Sequence, residues 1–81
     1  MNNENNRPVQ TFREGAVGLS IWKRVGSNGD YYEFTLSRSF VKSENEAGYS
    51  QCFKTENEKG LQKVITDACE FIREREGEGG N

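Results

Sequence analysis

An Asn-Gly pair, Asn28-Gly29, lies between two stretches rich in β-branched and aromatic residues, and it constrains this chain more than any other feature. Both residues tolerate positive φ, so the pair flanked by strand-like sequence is a strong hairpin signal. A two-residue loop at Asn28-Gly29 places Ser27 opposite Asp30 and sets every later pair. Val25 then meets Tyr32, Lys23 meets Phe34, Ile21 meets Leu36, Leu19 meets Arg38 and Val17 meets Phe40. Eight of these ten residues are apolar or aromatic, so they form a core face. The opposite face carries Gly18, Ser20, Trp22, Arg24 and Gly26 against Ser39, Ser37, Thr35, Glu33 and Tyr31. It is polar and small, yet holds a tryptophan, an arginine and a tyrosine, which makes it the candidate working surface.

The rest of the chain supplies what a hairpin lacks. Val9 and Phe12, within Pro8 to Glu14, suit a short edge strand. Lys42 to Gly48 reads as a polar loop, and Tyr49 to Lys54 as a further strand with Tyr49 and Phe53 toward the core. Thr55 and Glu58 have capping-box spacing, with Asn57 as a competing N-cap. Beyond them Leu61, Val64, Ile65, Ala68, Cys69 and Ile72 recur at three- and four-residue intervals, the stripe of an amphipathic helix. Gly60 weakens its first turn. The fold class is therefore α+β: an antiparallel three- to four-stranded meander followed by one long C-terminal helix, in two layers.

The 81 residues make one domain, spanning 9–75. The Asn-rich residues 1–8 and the Gly-rich residues 76–81 bury no apolar surface and read as disordered tails. A core this small, with uncovered sheet edges, favours a homodimer. No apolar run is long enough to span a bilayer, and the N-terminus lacks a signal-peptide pattern, so the expected location is cytoplasmic.

Reactive chemistry is scarce. Two cysteines without a histidine do not complete an ordinary zinc site, and both read as free thiols. Asp67, Glu70 and Glu74 lie on the solvated side of the helix near Lys63 and Arg73, where surface pairing explains them. With no nucleophile–base pair and no phosphate-cradling glycine loop, the chain is not read as an enzyme and no cofactor is expected.

Charge is divided along the chain although the net charge is only −2. From Arg7 to Lys42 six cations meet three acids; from Ser43 onward nine acids meet five cations. A basic sheet half and an acidic helix half suit oriented nucleic-acid binding. Trp22 and Tyr31 are candidate stacking platforms; Arg13, Arg24, Arg38 and Lys54 are candidate phosphate contacts, with Ser20, Thr35 and Ser37 around them. A structural alternative has Trp22 covered by another segment or subunit, with Arg24 pairing to Glu33. Arg38 is anomalous, since the register sets it on the apolar face.

The basic N-terminal segment, the Ser20-Ile21-Trp22-Lys23 strand, the Arg38-Ser39-Phe40 strand end and the Glu70-Phe71-Ile72 helix resemble one known group. It is the positive-cofactor-four transcriptional coactivators, with the Whirly proteins and short bacterial and phage relatives; small prokaryotic proteins with an Ile-Trp strand are also similar. The resemblance runs from about Val9 to Arg75, with fewer lysines and a more acidic helix here. It implies a homodimer assembled partly through its helices, with a concave sheet surface for single-stranded DNA. The expected function is thus non-enzymatic, sequence-tolerant binding of single-stranded DNA or RNA. A protein-interaction module using the same Trp22 face is the alternative.

Overall fold

A computed structural model describes residues 7–80, with side chains through Gly77. Four strands, β1 (Gln10–Glu14), β2 (Val17–Gly26), β3 (Gly29–Ser43) and β4 (Glu46–Ser50), form an antiparallel sheet in the order β1-β2-β3-β4. A 3-10 turn at Thr55–Asn57 leads into the single helix α1 (Glu58–Gly80). The molecule is the expected two-layer α+β meander. Among the described residues no helix is long and apolar enough to cross a membrane.

The hairpin departs from the expected register by two residues. Gly26 pairs with Gly29 across a Ser27-Asn28 loop, Ile21 meets Phe34 rather than Leu36, and Leu19 meets Leu36 rather than Arg38. The reason lies in where positive φ falls. Gly29 takes φ 124° and no non-glycine residue in the described chain has positive φ, so the turn is not type I′. Starting the loop one residue earlier leaves the left-handed position to glycine alone, which has no Cβ to clash there. A shift of two preserves side-chain parity, so both faces keep their predicted residues.

Val17, Leu19 and Ile21 of β2 and Val64 and Ala68 of α1 are fully buried and form the core. Phe12 packs edge-on against Phe71, with ring centroids 6.4 Å apart. The helix rests over β1 and β2. Gly60, whatever it costs the first turn in propensity, has a packing role: a Cβ on it would lie 3.1 Å from both the Glu14 carbonyl oxygen and Val17 Cγ2. Its missing side chain lets the first turn of α1 seat directly on the β1–β2 connection.

Other boundaries also move. β3 and β4 are joined by a tight turn inside the stretch read as a loop, and β4 ends at Ser50. Tyr49 consequently pairs with Ser39 and faces away from α1, not toward the core. At the helix entry Asn57, not Thr55, is the organising residue. Its Oδ1 accepts from the Lys54 N–H at 2.8 Å, and its own N–H donates to the Lys54 carbonyl at 2.9 Å. Helical backbone continues through residues 76–80, assigned from sequence to a tail, since extending a formed helix adds a hydrogen bond per residue. Residues 1–6 and 81 of the two expected tails lie outside the described residues. Cys52 and Cys69 are free thiols.

Candidate nucleic-acid interface

The sheet face opposite α1 is covered by no element of the described chain. Alternation along the strands assigns its residues. β1 contributes Thr11 and Arg13, opposite Ser20 and Gly18. β2 contributes Gly18, Ser20, Trp22 and Arg24, opposite Ser37, Thr35, Glu33 and Tyr31 of β3. Tyr49 of β4 stands beside Ser39 at the far end. Seven of the nine candidate residues thus share one surface: Arg13, Ser20, Trp22, Arg24, Tyr31, Thr35 and Ser37.

Diagonal contacts fix the aromatic end of this surface. Trp22 Nε1 donates to Thr35 Oγ1 at 3.0 Å, which satisfies the indole N–H and holds the half-buried ring against β3. Arg24 Nε donates to Glu33 Oε2 at 2.7 Å, and its guanidinium carbon lies 5.1 Å from the Trp22 ring centroid. The pairing of Arg24 with Glu33 is therefore present, alongside a cation–π contact with Trp22. Tyr31, across from Arg24, is 48% exposed.

Arg38 and Lys54 are not part of this surface. Arg38 lies on the helix side of the sheet opposite Val17. Its Nε donates to the Cys52 carbonyl at 2.7 Å, and its guanidinium carbon is 5.7 Å from the Phe40 ring centroid. It ties the segment after β4 to β3. Lys54 lines an apolar groove of about 580 Å³ beside α1, with Phe53, Leu61 and Ile65. Their positions follow from strand parity and from the linker's path under the helix, so the sheet separates both from Trp22.

Two residues of the open face escape the sequence reading. Thr11 shares the β1 side of Arg13, and the alternation of β1 around the half-buried Phe12 is the signal that locates it. Tyr49, 67% exposed, is hidden from sequence because its strand begins three residues before the expected start. Comparison with protein-family models, curated proteins and solved structures finds no match to this chain.

Proposed function

We propose that this protein binds single-stranded nucleic acid, without sequence preference and without catalysis, through the open face of its sheet, and that it does so as a homodimer. The observation that carries the reading is the composition of an uncovered face. Trp22, Tyr31, Arg13 and Arg24 stand among Ser20, Thr35, Ser37 and Gly18, with no element of the described chain over them. Short hydroxyl side chains keep the surface low enough for a sugar–phosphate chain to lie close, while the rings offer π-faces to bases. Tyr31 and Trp22 are the platforms; Arg24, stacked beside the indole, steers what rests there. DNA and RNA both satisfy this chemistry, and the cytoplasm suits either.

A homodimer is supported by the other side of the sheet. The helix covers β1 and β2, leaving Phe40 38% exposed on β3 and the apolar groove beside Phe53 open.

Titration of Trp22 fluorescence with oligothymidine tests the function, because Trp22 is the only tryptophan. Quenching by a single strand, weak competition by duplex of equal length and a steep loss of affinity with salt are expected. Absence of quenching at low salt transfers the face to a protein partner. The internal Arg24–Glu33 pair, which lowers the charge available to phosphates, is the observation that favours such a partner.

A further inference from the structure

The two arginines that the strands set on the open face are not equivalent. Arg24 is neutralised at 2.7 Å by Glu33. Arg13 has no carboxylate within ion-pair distance among the described residues, and its one hydrogen bond is a long 3.3 Å contact from Nη1 to the Gly15 carbonyl. Its guanidinium lies over Gly18: a Cβ built there would sit 3.3 Å from Arg13 Nη2 and 3.5 Å from Ser37 Oγ. The absent side chain opens a cleft of about 240 Å³, floored by Gly18 and lined on its polar side by Thr11, Arg13, Ser20 and Ser37. No acid lines it. A guanidinium fork with three hydroxyls around a glycine floor has the chemistry of an oxyanion seat, since all four side chains donate hydrogen bonds.

We propose that this cleft seats one backbone phosphate of the bound single strand, and that Arg13, not Arg24, supplies the charge for binding. The proposal rests on the reading of the open face as a nucleic-acid surface. Gly18 and Trp22 are four residues apart on β2, about 13 Å at the usual strand rise. A ligand touching both is therefore an extended chain rather than a mononucleotide. Phosphate anchored in the cleft and a base stacked on Trp22 fix the direction of the strand along β2.

The experiment follows Trp22 quenching by oligothymidine over a range of salt, with wild type, Arg13→Gln, Arg13→Lys, Gly18→Ala and Arg24→Gln. Arg13→Gln is expected to bind roughly tenfold more weakly at low salt, the worth of one charge-assisted contact. Its plot of log affinity against log salt flattens by about 0.7, the share of one single-strand phosphate. Arg13→Lys keeps the salt slope, and Arg24→Gln flattens it less than Arg13→Gln does. Gly18→Ala lifts the guanidinium and weakens binding in the same direction, with circular dichroism and thermal midpoint matching wild type. Inorganic phosphate and thymidine monophosphate compete weakly at equal phosphate concentration. A wild type that quenches while Arg13→Gln retains the full slope overturns the cleft and spares the open-face reading. Equal competition by inorganic phosphate identifies a free-anion site and overturns the nucleic-acid occupant. A wild type that does not quench overturns both.

Discussion

Trp22 is held by two kinds of contact with different consequences for its removal. The indole N–H to Thr35 bond and the cation–π contact with Arg24 orient the ring, but both partners remain on an uncovered face where water can replace it. Trp22→Ala is therefore expected to lose about 1–3 kcal/mol of single-strand binding, the usual worth of one stacked base. Its cost to stability stays below that of a core truncation, since the ring lies outside the packed layer. Chemical denaturation beside an oligothymidine titration separates the two effects. A variant that unfolds, with a wild type that never quenches, makes Trp22 a structural residue. Tyr49 sharpens the point. It is more exposed than Tyr31, on the same face, and nothing in its immediate sequence distinguishes it from a core aromatic.

At the scale of elements, β2 carries the fold. Ile21 is fully buried between β3 and the helix layer, while Ser20 faces the open side. Ile21→Ala should cost about 2–4 kcal/mol and Ser20→Ala well under 1 kcal/mol, as read from denaturant midpoints. The reverse order would mean that the two faces are exchanged. Gly60 tests the helix in a similar way. Alanine there gains about 1 kcal/mol of helix propensity. Its Cβ, however, meets a backbone carbonyl and the buried Val17 at 3.1 Å, and overpacking of that kind costs about 1–3 kcal/mol. Gly60→Ala is thus expected to destabilise the protein despite its propensity. These examples also mark what the sequence discloses. Period-two alternation identifies the faces of β2 and β3, and the apolar stripe identifies α1, because both patterns repeat over many residues. The loop position between β2 and β3 depends on one backbone angle at Gly29, and the β3–β4 turn on a polar stretch with no strong turn pair. Arg38 shows the same limit: its place on the helix side is legible, but its bond to the Cys52 carbonyl depends on a path that only the folded linker reveals.

The whole molecule has one covered half and one open half on its helix side. A single helix of this length lies over β1 and β2, so Phe34 and Leu36 of β3 pack only against the edge of the core it covers. Phe34 and Leu36 are half-buried, Phe40 is exposed, and a separate apolar groove beside Leu61 and Ile65 is open. A fully buried core of two valines, one leucine, one isoleucine and one alanine is small for independent stability. The proposed homodimer covers this apolar surface and has a measurable signature. If folding and association are coupled, mass action stabilises the assembly by about 1.4 kcal/mol for each tenfold rise in concentration. For a dimer of this combined size, that corresponds to a thermal midpoint rising by about 3–5 °C per tenfold. Phe40→Ser should reduce both the concentration dependence and the mass seen by light scattering. It should leave Trp22 quenching by a short oligothymidine intact, because Phe40 and Trp22 stand on opposite faces of the sheet. A monomeric mass throughout the micromolar range, with a midpoint independent of concentration, would remove the dimer. The open face of a single copy would then be the whole binding surface.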